Sequence, residues 1–335
     1  MPVGGGAPVS VQSMANTKTE NVNDTVAQIK RLEKAGCEIV RLAVPTMEAA
    51  AAIEKIKCEV NIPIVADIHF DWRLAIAAAE HGADKIRINP GNIGGEEKVK
   101  AVVDVCKAKN LPIRIGVNGG SLEKTLLQKY GKPTPEAMLE SAMGHVKLLN
   151  KFDFDDICIS VKSSDVPLTV AAYRLMAQAT DYPLHLGVTE AGTEYGGIIK
   201  SSVGIGSLLL DGIGDTIRVS LTAEPEKEVT AAIAILKATG LRHDGVTFIS
   251  CPTCGRTKIN LIETAKEVEK RLAGVEGDIT VAVMGCVVNG PGEASRADFG
   301  IAGGDGEGVI FKKGKIVKKV PMGDLVDELM AMIKA

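Results

Sequence analysis

Three cysteines near the carboxyl end have the types and spacing of a metal or redox site. Cys251 and Cys254 stand in Cys-Pro-Thr-Cys-Gly-Arg, and Cys286 follows in Met-Gly-Cys-Val-Val-Asn-Gly-Pro-Gly-Glu. A lone Cys-x-x-Cys fits a zinc half-site, a redox pair or chance. No further cysteine follows Cys286, which counts against an all-cysteine zinc ribbon. Three thiolates with a different fourth ligand describe a metal or cluster that keeps one position exchangeable. The neighbouring Pro and Gly let backbone amides turn toward sulfur and stabilise its charge. An iron–sulfur cluster is the favoured reading, with zinc and a redox disulfide still open. Cys37, Cys58, Cys106 and Cys158 read as small structural hydrophobes.

A second concentration of chemistry lies in strand-like runs of the amino-terminal part. Arg41 interrupts Ile-Val-Arg-Leu-Ala-Val. Asp67 and His69, Arg87 and Asn89, Arg114 and Asn118, Ser160 and Lys162, and Arg218 and Ser220 each alternate along one strand face, and Glu190 closes another run. A single strand-end arginine is usually solvated or salt-bridged. Cations repeated on five strands are different, because burying them without counterions costs several kcal/mol each. They call for an anionic ligand, and Arg suits bidentate contact with phosphate. The positive charges outnumber what Asp67 and Glu190 can balance, so more than one phosphate is expected. The loops at Asn89–Gly95 and Asn118–Ser121 offer backbone donors beside them.

The elements that must position these groups are legible in the apolar rhythm. Strand-like runs at 9–14, 38–44, 63–69, 85–89, 112–118, 156–162, 183–189 and 215–221 alternate with helical stretches at 23–35, 47–57, 74–81, 96–109, 135–150, 168–180, 198–210 and 226–238. Strand then helix, eight times over, predicts a TIM (β/α)8 barrel with the chemistry at its carboxyl-terminal strand ends. An open doubly wound sheet shares the local signature but more commonly carries fewer strands. From Asp244 the rhythm breaks. A strand at 246–249, a helix at 260–272, a strand at 279–283, a hairpin over 308–320 and a final helix suggest a small α+β domain. The expected division is residues 1–242 for the barrel and 243–335 for the cysteine-bearing domain.

Bulk properties are consistent with a two-domain α/β enzyme. The 335 residues are 45% hydrophobic and 24% charged, with 39 Lys and Arg against 42 Asp and Glu and a net charge of −3. That balance argues against a nucleic-acid binder relying on broad positive charge. No apolar stretch is long enough for a membrane span, and residues 1–15 lack the form of a secretory signal. Seven scattered cysteines disfavour a disulfide framework and point to a reducing cytoplasm.

Val-Gln-Ser-Met at 11–14, Asp67-Ile-His-Phe, Arg87-Ile-Asn-Pro-Gly-Asn, Arg114-Ile-Gly-Val-Asn-Gly-Gly-Ser, Ser160-Val-Lys-Ser-Ser, His185-Leu-Gly-Val-Thr-Glu-Ala-Gly and the two cysteine motifs, in this order, resemble the 4-hydroxy-3-methylbut-2-en-1-yl diphosphate synthase family. The resemblance spans nearly the whole chain and looks like the bacterial two-domain form. It implies a barrel followed by a sulfite-reductase-like domain, with a [4Fe–4S] cluster on Cys251, Cys254 and Cys286 and the Glu293 carboxylate on the fourth iron. It implies a substrate, 2-C-methyl-D-erythritol 2,4-cyclodiphosphate, whose diphosphate meets Arg41, Arg87, Asn89, Arg114, Asn118, Lys162, Arg218 and Ser220. Asp67, His69 and Glu190 would lie near its hydroxyls, with Glu190 the candidate proton donor or a positioning group. Flavodoxin or ferredoxin would supply electrons, and a head-to-tail homodimer would place one chain's cluster domain over the other's barrel.

Two departures stand out. The family usually carries a longer leader, often a hairpin closing the barrel bottom, so the start at Met1-Pro-Val-Gly-Gly-Gly leaves that closure in doubt. Ala15 also stands where Thr is more usual. The rival enzyme reading is a pterin-binding barrel with a zinc tail, similar to dihydropteroate synthase. A non-enzymatic reading makes the tail a zinc-dependent interaction or nucleic-acid module, supported by the basic run 312–319. That run reads first as a solvated hairpin and next as a dock for an acidic electron carrier.

Overall fold

The computed structural model describes residues 1–275, 277–287, 292 and 294–334. It divides into two compact units, Met1–Leu241 and Arg242–Ala335.

In the first unit, strands and helices alternate along the chain: β1 Ser10–Met14, α1 Val22–Lys34, β2 Ile39–Ala43, α2 Met47–Lys57, β3 Ile64–Asp67, α3 Trp72–Glu80, β4 Lys85–Ile88, α4 Glu96–Lys109 and β5 Ile113–Asn118. Then come α5 Lys124–Tyr130, α6 Pro135–Asn150, β6 Ile157–Lys162, α7 Val166–Ala179, β7 His185–Leu186, α8 Glu194–Leu210, β8 Thr216–Ile217 and α9 Pro225–Ala238. The strands are parallel, in the order β6-β5-β4-β3-β2-β1-β8-β7. A bridge from Ile159 to Leu184 joins the two ends, with the Ile159 N–H donating to the Pro183 carbonyl at 2.8 Å. The sheet is therefore a ring and not an open doubly wound sheet.

Local sequence explains the punctuation. Thr46, Thr134 and Asp165 cap α2, α6 and α7 by accepting from backbone N–H groups of the first turn. Gly36, Gly82 and Gly240 end helices at φ of 97°, 90° and 72°, a region costly for residues with a Cβ. Pro63, Pro112 and Pro183 stand at strand entries where only an acceptor is needed, and each carbonyl receives an N–H from the adjacent strand.

Alternation along the strands sorts the side chains into two populations. Val11, Val40, Leu42, Ile64, Ala66, Ile86, Ile88, Ile115, Val117, Ile159 and Ile217 are fully buried in the continuous apolar core of the unit. The other strand face lines the interior of the ring. There Arg114 Nη1 on β5 donates to Gln12 Oε1 on β1 across the barrel, at 2.6 Å. Barrel interiors are normally layered Val, Ile and Leu; this one is built of Gln, Arg, Asp, Lys and His.

Two expectations are corrected. Strands seven and eight are two residues each, so Glu190 lies in a turn beyond β7 and does not end it. Beyond β7, Gly187 leaves no room for a side chain, since a Cβ there would meet Lys162 Nζ and the Arg218 carbonyl oxygen. A short 3-10 turn at Gly119–Ser121 and α5 were not foreseen; α5 buries no residue and so leaves no apolar stripe to read.

The second unit runs β9 Val246–Ser250, α10 Leu261–Leu272, β10 Ile279–Met284, β11 Phe299–Ala302, β12 Glu307–Lys312, β13 Lys315–Pro321 and α11 Leu325–Lys334. Its sheet has the order β13-β12-β11-β10-β9, parallel from β9 to β11 and antiparallel beyond. Val268, Leu272, Leu325 and Leu329 of the helices pack with Val281, Val283, Ile301 and Ile310 in one cluster. The hairpin turns on Lys313 and Gly314, both at positive φ (47° and 74°), as a type I′ turn requires. Strand β11 was missed because it is four residues with Gly300 inside; the Phe311 ring fills the space where a Cβ would sit, 2.2 Å away. Among the described residues, no helix is long and apolar enough to cross a membrane.

Candidate active site

The barrel strands and the residue just past β8 bring together Arg41, Asp67, Arg87, Arg114, Lys162 and Arg218. Asp67, at the last position of β3, is 1% exposed. Its Oδ1 accepts from Arg87 Nη1 at 3.0 Å, while Oδ2 lies 3.7 Å from Arg41 Nε and 3.5 Å from His69 Nε2. Burial opposes ionisation of Asp67, but Arg41, Arg87, His69 and Arg114 outweigh it and hold the carboxyl below the usual range. Arg41 also directs Nε and Nη2 at the Met14 sulfur, at 3.0 and 2.8 Å.

Arg218 has a different anion. Its Nη2 lies 3.8 Å from Oε2 of Glu228 on α9. Arg114 and Lys162 have no carboxylate within ion-pair distance among the described residues, although they are 2% and 8% exposed. Burial, then Arg114, Arg218, Arg41 and Arg87, push the Lys162 amine well below its ordinary pKa. Burial also lowers Arg114 to about 10. His185, wholly buried below them with neither ring nitrogen hydrogen-bonded among the described residues, is held neutral by burial and by Lys162 and Arg114. A pocket with this uncompensated charge favours a multiply charged anion over water.

Two glycines make room for the cationic arms. A Cβ at Gly116 would lie 2.4 Å from Arg87 Nη2, and one at Gly187 would lie 2.6 Å from Lys162 Nζ and 2.8 Å from the Arg218 carbonyl oxygen. The remaining expected residues sit around this centre. Asn89, 7% exposed, accepts from the Gly91 N–H at 3.1 Å and so shapes the loop after β4. Asn118 ends β5 and Ser220 follows β8, both half-buried. The His69 side chain is 57% exposed. Glu190 is exposed at φ 51° and forms no ion pair among the described residues, so the second counter-anion of the cluster is Glu228 and not Glu190. Sequence reading missed Gln12, Met14, Glu228, Gly116 and Gly187. Gly116, inside β5, left a signal, since glycine inside a strand marks close approach of another group.

In the second unit strand register sets the segments bearing Cys251 and Cys286 side by side. Cys251 follows β9 and Cys286 lies just past β10, and these strands pair with Ser250 beside Val283. The Gly285 N–H donates to Cys251 Sγ at 3.0 Å, and the Lys258 N–H to the Gly285 carbonyl at 2.8 Å. Cys254 is exposed in a turn closed by its N–H to Thr257 Oγ1 at 3.1 Å. The Arg256 backbone N–H, ahead of its side chain and Thr257, draws that thiol below its ordinary pKa. Such N–H donors suit thiolate ligands. Among the described residues, no three Cys, His, Asp or Glu side chains are gathered for one metal ion. Glu293 lies outside the described residues.

The basic hairpin turn is at the other end of this sheet. β12 runs antiparallel with Phe311 beside Gly300 at the start of β11, while the thiols follow the carboxyl ends of β9 and β10. About 15 Å of strand separates them, and Lys318 is paired with Glu328 at 2.6 Å.

Known proteins match the chain throughout. The GcpE TIM-barrel domain family matches residues 1–233 and the GcpE protein C-terminal domain family residues 247–335. A 4-hydroxy-3-methylbut-2-en-1-yl diphosphate synthase (flavodoxin) of Clostridium perfringens is 62% identical over 99% of this chain and 95% of its own length. That of Geobacter sulfurreducens is 61% identical over 100% and 95%. Among solved structures, a dihydropteroate synthase of Stenotrophomonas maltophilia aligns with a TM-score of 0.51 at 13% identity, over 69% of this chain and 91% of that one, which is likeness of the barrel fold alone. On the two domain matches and these identities, the chain belongs to the GcpE family of 4-hydroxy-3-methylbut-2-en-1-yl diphosphate synthases.

Proposed function

We propose that this chain converts 2-C-methyl-D-erythritol 2,4-cyclodiphosphate to (E)-4-hydroxy-3-methylbut-2-enyl diphosphate in isoprenoid biosynthesis, in the cytoplasm. The reaction takes up two electrons and one proton, breaks a ring C–O bond to phosphate and the C3–hydroxyl bond, forms a double bond and releases water. The observation that carries this reading is the buried cation cluster in which Arg114 and Lys162 have no carboxylate within ion-pair distance among the described residues. The family relationship supplies the ligand that would complete it.

Cys251, Cys254 and Cys286 would hold a [4Fe–4S] cluster, with Glu293 as the fourth ligand. When bound, that cluster supplies single-electron transfer from flavodoxin or ferredoxin and an exchangeable iron for the substrate. The protein's own residues do the rest. Asp67 stays ionised and fixes Arg87 and Arg41 as two faces of the phosphate cradle. Arg114 and Lys162 meet the phosphate oxygen that gains charge as the ring opens, which lowers the barrier because their donors are already in place. Asn89, Asn118, Arg218 and Ser220 complete the diphosphate contacts, and His69 and Asp67 flank the hydroxyls. Glu190 delivers the proton that lets hydroxide leave as water; its left-handed backbone, costly for a side chain with a Cβ, supports a placed role.

A head-to-tail homodimer, with one chain's cluster unit over the partner's barrel, completes the reading. An apolar stripe on α8 supports association, with Ile199, Val203 and Leu210 47%, 57% and 72% exposed. The test is oxygen-free reconstitution, analysis of iron and acid-labile sulfide, and turnover of the cyclic diphosphate with reduced flavodoxin. About four irons per chain and turnover are expected. Absence of iron after careful reconstitution, or an iron-loaded protein that leaves the substrate untouched, overturns the proposal.

A further inference from the structure

Glu228, the second counter-anion of the cation cluster, is a buried carboxylate to which no part in binding substrate or iron has been given above. It lies in the first turn of α9 and is 5% exposed. Its Oε1 accepts the Leu221 backbone N–H at 2.9 Å, in the segment that follows β8. Its Oε2 accepts from the Ser13 hydroxyl of β1 at 3.3 Å and stands 3.8 Å from Arg218 Nη2. One side chain thus ties β1, the segment after β8 and a cation of the cradle to the start of a helix. Helix capping does not account for it, because the Glu224 cap position has no side-chain bond and Glu228 reaches back past the cap to Leu221. A carboxylate this buried is costly unless it is paired. Ser13 and Leu221 satisfy its oxygens, and Arg218 supplies the charge.

We propose that Glu228 is a positioning residue for the phosphate cradle, fixing Arg218 and the strand end that carries Ser220, and acting on the substrate only through them. Arg218 is long and flexible, and its Nε is buried without a hydrogen-bond partner among the described residues. Glu228 is the one carboxylate among the described residues within ion-pair distance of that guanidinium. Held from behind, the guanidinium presents its remaining donors to the ring interior without searching rotamers during the reaction. Pre-orientation of this kind raises turnover more than ground-state binding.

This inference rests on the substrate reading above, so wild-type turnover is the control that tests that reading separately. The experiment is a double-variant cycle on reconstituted holoenzyme, with Glu228→Gln, Arg218→Gln and both together. Gln keeps one acceptor oxygen for the Leu221 N–H, turns its NH2 toward the Ser13 hydroxyl oxygen, which can accept, and removes the charge that holds Arg218. The expected result is a Glu228→Gln variant that still folds, by circular dichroism, with kcat down about tenfold and KM within about twofold. The double variant should lose no more than Arg218→Gln alone, since the two side chains act as one unit. Wild-type kcat in Glu228→Gln, or losses that multiply in the double variant, overturns the inference. Should Glu228→Gln fail to fold while Glu228→Leu folds normally, the charge has no positioning role and the inference also fails.

Discussion

Replacing Asp67 by Asn gives the most direct measure of how the cation cluster is held. The variant keeps the shape and one acceptor oxygen but removes the charge that faces Arg87 at 3.0 Å and Arg41 at 3.7 Å. At an effective dielectric of about 20, the nearer pair alone is worth about 5 kcal/mol of Coulomb attraction, part of which offsets desolvation. Removing one partner of a buried pair costs about 3–5 kcal/mol. For a unit of this size that corresponds to a melting temperature about 6–20 °C lower. The assay is thermal denaturation of wild type and variant, with and without inorganic pyrophosphate. Because the variant has one more unbalanced cation, pyrophosphate should raise its melting temperature more than that of the wild type.

The pH dependence has a fixed sign. Asp67 is held below its unfolded value of about 3.9. Its stabilisation is complete above that value and fades as pH falls through the depressed folded pKa. The gap between the two proteins should therefore be full at neutral pH and close in strong acid. A variant melting within about 2 °C of wild type at pH 7, with no larger response to pyrophosphate, would refute the assignment of Asp67 as the central counterion.

Other consequences are equally accessible. Lys162→Met removes an amine whose pKa burial and four arginines depress. It should stabilise the ligand-free protein by about 1–4 kcal/mol while reducing kcat/KM at least a hundredfold, by melting curves and turnover. Gly187→Ala places a methyl against Lys162 Nζ and, less yieldingly, the Arg218 carbonyl oxygen, so kcat/KM should fall at least tenfold. Cys254→Ser should abolish cluster incorporation, read from the visible spectrum and iron content, and leave circular dichroism unchanged because Cys254 is an exposed turn residue.

Much of the architecture was legible because it is written in short-range pattern. Helices α2, α4 and α6 fall at the expected residues, since caps, helix period and terminal glycines act within a turn or two of the chain. The cationic residues were legible too, because a strand alternates with period two and Arg41, Arg87, Arg114 and Lys162 each break an aliphatic run. The pairing among them was not. Glu190 looked like the second counterion because it follows a strand, yet its turn leaves the ladder early. Glu228 gave no signal in the sequence, and only the packing of α9 against β1 brings it to Ser13 and Arg218.

The chain alone thus determined the alternation of strands and helices, the inward row of cations and the presence of three thiols at two turn motifs. Tertiary structure decided which charges neutralise one another, where glycine must yield space to an arginine or lysine, and that the basic hairpin turn lies away from the thiols. The division has a physical cause. Propensity, capping and periodicity are settled by neighbours a few residues apart, whereas charge compensation depends on distance through space, and ring closure sets that distance between residues more than two hundred positions apart, as with Ser13 and Glu228.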